Sequence, residues 1–290
     1  MVSLGIYEKA LPATDSWLER LQLVKQLGFN FLELSIDESD ERLARLQWTK
    51  AQRAEVRDAI WATGVRIHTL MLSGQRRFPL GSADASIREK SLTMLYQAID
   101  LASDLGIRNI QLAGYDVYYE RKTVLSREYF VENLAKGVAY AAGKEIMLDI
   151  ETMDDRFINS LQKIRDIKAQ IHSPWLQAYP DVGNLTAWPT NDVAHELELG
   201  LDNIVSVHLK DTQPVTATSD GQFRDVPFGD GTVDFEGCLR TLKRLDYQGA
   251  FTIEMWTEKA ADPIKEVQLA KEYFDDLFVK VGLTQEVAHA

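Results

Sequence analysis

The chain repeats one unit: a helix, a glycine, then a short apolar strand. It reads KQLGFNFLELSI, WATGVRIHTLML, SDLGIRNIQLAG, YAAGKEIMLDIE and LELGLDNIVSVHLK, with DYQGAFTIEM as a close variant. Gly28, Gly64, Gly106, Gly143, Gly200 and Gly249 fall where a helix must end, and glycine accepts a left-handed cap there without a Cβ clash. A unit of roughly 35 residues suits a βα repeat with a parallel sheet. Strands are expected around 3–8, 31–36, 65–72, 107–113, 146–152, 176–183, 204–210 and 250–256, with a last helix near 263–281. Eight units predict an α/β fold, a single (β/α)8 TIM barrel over residues 1–282, with a frayed tail at 283–290. A doubly wound open sheet is the runner-up, but no GxGxxG turn follows the first strand.

Alternation along the strands supports closure. In strand five Ile146, Leu148 and Ile150 face the helices while Met147, Asp149 and Glu151 face the axis. Strand six turns Tyr179 and Asp181 inward; strand seven turns Ser206, His208 and Lys210 inward; strand eight turns Thr252, Glu254 and Trp256 inward. Helix-to-strand turns are short. Three strand-to-helix connections are long and polar: SGQRRFPLGSAD, GYDVYYERKTVLS and DTQPVTATSDGQFRDVPFGDGTVDF. Long loops on one rim are where barrel enzymes build their sites. The third reads as a mobile flap, with Asp234 capping the helix after it.

Charge and composition exclude several function classes. A formal net charge of −12 and the absence of a dense Lys/Arg run disfavour a nucleic-acid partner, which needs a positive face. No apolar run approaches the roughly 20 residues that span a bilayer. MVSLGIYEKALP lacks the basic-then-apolar pattern of a secretory signal. Cys238 is the single cysteine and reads as a core thiol in a helix, consistent with a reducing, cytoplasmic setting.

Four residues combine these signals. Glu151, Asp181, His208 and Glu254 share the inward phase at the carboxyl ends of four consecutive strands. Alone, each is an ordinary solvated acid or core histidine; jointly they read as ligands for one divalent metal ion. Three carboxylates and an imidazole suit Zn²⁺, Mn²⁺, Co²⁺ or Mg²⁺. Glu151 and Glu254 would approach a bound molecule from opposite flanks. That is a device for moving a proton on a carbon next to a carbonyl, with metal Lewis acidity stabilising the enediolate.

The same segments, with GIYEKALP, RRFPLGS, LAGYDVYY, YPDVGNL, HLKDT, VPFGDGTVDF and IEMW, resemble the L-ribulose-5-phosphate (L-xylulose-5-phosphate) 3-epimerase family of xylose-isomerase-like barrels. The resemblance runs almost the full chain in order. It implies Glu151, Asp181, His208 and Glu254 as metal ligands, Glu151 and Glu254 as the acid/base pair, a homodimer, and a small-molecule sugar phosphate as substrate. It further implies a role in L-ascorbate or pentose use. One departure is Gln75, in SGQRRFP, where the family commonly carries a histidine beside the arginines; the flap also looks longer.

Substrate contacts are expected from Arg76, Arg77 and Arg224 to phosphate, since arginine forks suit it. Asn184 and Lys210 are expected near the sugar, with Lys210 equally able to pair with Asp181 or Asp211. Tyr7, Phe78, Tyr115 and Trp256 are candidate pocket walls. His68 faces inward but lies too low on strand three to reach a metal. An epimerase or aldose–ketose isomerase acting on an unphosphorylated sugar is the competing reading. A multi-metal phosphodiesterase needs clustered histidines, and His68, His172, His195 and His289 do not supply them.

Overall fold

Every expected apolar run forms a strand in the computed structural model, which describes residues 1–285. The strands are β1 (Ser3–Tyr7), β2 (Phe31–Ser35), β3 (Arg66–Met71), β4 (Asn109–Ala113), β5 (Met147–Glu151), β6 (Leu176–Tyr179), β7 (Ser206–Leu209) and β8 (Ala250–Ile253). They pair in parallel in the order β6-β5-β4-β3-β2-β1-β8-β7. Bridges from Ala178 to Ile204 and from Asp181 to His208 bring β6 and β7 together and complete the ring.

Between them run α1 (Trp17–Gln26), α2 (Asp40–Leu43), α3 (Lys50–Thr63), α4 (Ala85–Leu105), α5 (Val124–Ala142), α6 (Leu161–Ile171), α7 (Val182–Thr186), α8 (Val193–Gly200), α9 (Phe235–Arg244) and α10 (Pro263–Val281). Outward strand residues such as Leu148, Ile150, Val207 and Ile253 pack with helix residues such as Leu95, Leu134 and Phe274 in one buried core. Asp234 caps α9 as expected, accepting the Gly237 amide at 2.9 Å. Cys238 is buried in that helix and its thiol is pushed up to about 12, chiefly by burial, which keeps it protonated and inert.

Three expectations need correction. Strand six is shorter than expected, because Pro180 has no N–H to donate and Asp181 opens α7; strand eight also ends early, at Ile253. Of the six glycines, Gly28, Gly64 and Gly106 take φ of +80°, +72° and +76°, while Gly143 and Gly200 lie at −67° and −88°. Glu145 and Asp246 carry positive φ instead, and a Cβ on Gly200 would stand 2.8 Å from Leu161, so that glycine gives room rather than a turn. Residues 283–285, expected in a frayed tail, are held in place. The Val2 amide donates to Thr284 O at 2.7 Å, and Val2 and Gln285 form a parallel bridge that supplies partners to the start of β1. The rest of that tail, 286–290, lies outside the described residues.

Candidate active site

The closing seam of the barrel delivers the site. Glu151 ends β5 and His208 lies in β7, while Glu254 follows β8 by one residue and its amide donates to Leu209 O at 3.0 Å. Asp181 is the N-cap of α7: its Oδ1 accepts the Asn184 amide at 2.8 Å, which leaves Oδ2 for the barrel mouth. Gly183 makes this possible, since a Cβ there would come within 2.3 Å of Lys210 O.

One ligand atom from each of Glu151, Asp181, His208 and Glu254 lies within 4.8 Å of the others, and all four side chains are buried. His208 Nδ1 is 2.8 Å from Glu151 Oε1 and 3.7 Å from Glu254 Oε2. Lys210 Nζ sits 2.8 Å from both Asp181 Oδ2 and Glu254 Oε2, so of its two expected partners it takes Asp181 and adds Glu254. Asp211 is engaged elsewhere, in the loop after β7.

The electrostatics follow from packing three acids together out of water. Burial pushes the Asp181 carboxyl up to about 8, against the pull of Lys210. Burial also raises Glu151, opposed by His208 and reinforced by Glu254. Burial acts the same way on Glu254, but Lys210 and His208 overcome it and hold that carboxyl at about 2. The His208 ring is raised well above its ordinary value: burial disfavours its charge, and Glu33, Glu151 and Glu254 more than offset that. Three convergent carboxylates and an imidazole nitrogen fit a divalent cation, which would offset most of their negative charge and finds oxygen and nitrogen donors of suitable hardness. The cluster could hold a metal ion.

The substrate candidates separate. A cavity of about 440 Å³ opens beside Glu254, lined among others by Lys210, Asp225, Phe228, Trp256 and Lys259. Arg224 lies at its rim, 4.3 Å over the Trp256 ring and 2.7 Å from Glu258. Arg76 lies between the rings of Tyr115 and Tyr118, at 5.3 and 5.4 Å; burial pulls its pKa down, and Tyr115, Asp154, Tyr118 and Glu151 more than offset that. Asn184 is buried beside Asp181 and donates to Thr152 O at 2.7 Å. Gln75 is buried with its amide nitrogen unpartnered. Arg77 turns away from the tetrad to Asp40 at 2.6 Å, stacking on Phe78, so neither of these faces the cavity. Tyr7 packs edge-on, at 6.0 Å, to Trp256, which lines that cavity. His68 lies low in the barrel against Phe31, at 4.7 Å, outside the cluster as expected.

A model of the xylose isomerase-like TIM barrel family matches residues 21–277. A relative from Escherichia coli strain K12, provisionally named an L-ribulose-5-phosphate 3-epimerase, is 53% identical, with 96% of this chain and 97% of that protein covered. The L-ribulose-5-phosphate 3-epimerase of Escherichia coli O157:H7 is 48% identical, with 98% of each covered. The chain belongs to the L-ribulose-5-phosphate 3-epimerase family. This is a family of isomerase-class enzymes built on the xylose isomerase-like barrel. The solved 3-keto-D-glucoside 4-epimerase from E. coli superposes with a TM-score of 0.78 at 19% identity, covering 95% of this chain and all of that one, which shows the shared fold.

Sequence reasoning missed residues that hold this barrel's mouth together. Glu33 of β2 reaches His208 Nε2 at 2.8 Å, and Gln111 of β4 donates to Glu151 Oε2. Their signal was an uncharacteristic polar residue at the inward phase of an apolar strand. The loop expected as a mobile flap is anchored at its base. The Asp211 carboxylate accepts the amides of Gly229, Gly231 and Val233 at 2.8, 3.1 and 3.3 Å, and Gln213 and Gln222 pair antiparallel.

Proposed function

We propose that this chain is a metal-dependent 3-epimerase that interconverts L-ribulose 5-phosphate and L-xylulose 5-phosphate in the cytoplasm, in L-ascorbate or pentose use. The carrying observation is that Glu151 and Glu254 flank one buried point, with Asp181 and His208 between them. Glu151, Asp181, His208 and Glu254 would hold the ion, Zn²⁺ or Mn²⁺ in the first instance. When bound, it supplies Lewis acidity toward the charge that develops on the substrate's carbonyl oxygen.

The protein's own groups account for the rest. One glutamate takes the proton from C3 onto a carboxylate oxygen, and the other gives a proton to the opposite face of C3. In the reverse direction they exchange roles. Lys210, fixed by Asp181 and Glu254, is placed to donate to a substrate oxygen. Burial of the four side chains limits competing protonation by water. Asn184, Gln75 and Arg76 offer buried polar groups to sugar hydroxyls around this point, while Arg224 and Lys259 at the cavity rim suit the phosphate.

One observation favours the second reading, an unphosphorylated sugar. Arg224 is already paired with Glu258 at 2.7 Å and Lys259 with Asp225 at 2.6 Å. Turnover of L-ribulose 5-phosphate against L-ribulose, in chelated and metal-restored protein, separates the two. A higher kcat/KM for the phosphate ester supports the proposal, and equal or reversed preference overturns it.

A further inference from the structure

Glu33 is a buried carboxylate that the proposed reaction leaves without a role. It stands in β2, in register with Tyr7 of β1 and Thr69 of β3, and it is 0% exposed. Its Oε1 lies 2.8 Å from His208 Nε2, across the barrel. Its Oε2 accepts the Tyr179 hydroxyl at 3.0 Å, and that hydroxyl also lies 2.9 Å from Thr252 Oγ1. The carboxylate thereby ties three strands, β2, β6 and β7, and the Tyr179 hydroxyl adds β8. A carboxyl group kept this deep needs partners, and both of its oxygens have one.

We infer that Glu33 is a positioning residue for the metal centre: it accepts the Nε2 proton of His208, fixing the ring's tautomer and rotation so that Nδ1 is the metal-binding nitrogen. The inference rests on the metal-centre reading above. An imidazole can present either nitrogen, and the hydrogen bond made by one selects the role of the other. With Nε2 turned to Glu33, Nδ1 faces Glu151 Oε1 at 2.8 Å and Glu254 Oε2 at 3.7 Å. Tyr179 restrains the Glu33 carboxylate through its second oxygen, and its ring packs 4.5 Å from the imidazole. A carboxylate acceptor also increases the basicity of the ligating nitrogen, and removing such a partner typically weakens metal binding about 10–100-fold.

The test measures Zn²⁺ dissociation constants by competition with a chromophoric chelator, for the wild type, Glu33→Gln and Glu33→Ala. Glu33→Gln keeps the shape and removes the charge, so it stays informative if the alanine variant fails to fold. The expected result is affinity weaker by about 10-fold or more, with turnover recovering as Zn²⁺ is raised to saturation. ¹⁵N NMR of the Zn²⁺-loaded wild type is expected to show His208 protonated at Nε2 and metallated at Nδ1. Folded variants that bind Zn²⁺ as tightly as the wild type overturn the inference, as does a metallated Nε2. A wild-type protein that binds no Zn²⁺ overturns the metal-centre reading and this inference with it.

Discussion

Asp181 and His208 form a parallel bridge across the seam where the barrel closes, with the His208 amide donating to Pro180 O at 2.9 Å. Two of the four candidate ligands are thus also among the residues that join the last pair of strands. Site geometry and ring closure depend on each other here.

Asp181 acts through both carboxylate oxygens, one capping α7 and one facing Lys210. Asparagine caps nearly as well as aspartate, whereas alanine loses about 1 kcal/mol. Asp181→Ala is therefore expected to melt about 1–2 °C below Asp181→Asn, since the unfolding entropy grows with chain length. Both variants should lose metal affinity. Equal melting temperatures would show that the cap contributes nothing.

Lys210 separates two buried acids, lying 2.8 Å from each of Asp181 and Glu254. Lys210→Met leaves those carboxylates uncompensated, and breaking a buried pair typically costs about 3–5 kcal/mol. Denaturant titration of chelated protein is expected to show that loss, reduced when Mn²⁺ is added. A loss unchanged by Mn²⁺ would contradict the placement of a cation among these groups.

Asp211 anchors the loop after β7 through three amides. Asp211→Ala removes a charged acceptor whose hydrogen bonds are each worth about 1.5–3 kcal/mol. Limited proteolysis within 213–228 is expected to accelerate by about tenfold or more, since about 1.4 kcal/mol already corresponds to that factor. An unchanged cleavage rate would mean that the loop is held by other contacts.

His68 is pulled down to about 4, chiefly by burial and then by Arg66. Between the ordinary histidine value, about 6.5, and the folded value, the unfolded chain binds the extra proton. Stability therefore rises with pH across about 4 to 6.5 and is level for this group above it. His68→Gln should flatten that part of the profile in chemical denaturation measured at several pH values. A slope retained in full would assign it to other groups.

The barrel and the tetrad were legible because both are written locally. The glycine-marked repeat sets the period, and a polar residue after an alternating run marks a strand's carboxyl end at Glu151, Asp181, His208 and Glu254. Glu33 was not legible: its partner His208 lies 175 residues away, across the axis rather than on a neighbouring strand. Strand phase gives the direction of a side chain but not what it meets on the far side. Arg77 failed for a related reason, because a surface acid, Asp40, captures it before the cavity does. The same holds for Gln285 and Val2, ends of the chain joined by a bridge that no local pattern encodes.

Proton transfer at C3 by Glu151 and Glu254 is tested most directly by deuterium incorporation from solvent into L-ribulose 5-phosphate. The wild type with restored metal is expected to label C3 and form the epimer. Glu254→Gln is expected to lower both by about 10²–10⁴-fold, the usual contribution of a general acid–base group, while a metal still binds, though more weakly. Undiminished C3 exchange in that variant, or wild-type turnover in rigorously metal-free protein, would contradict the account.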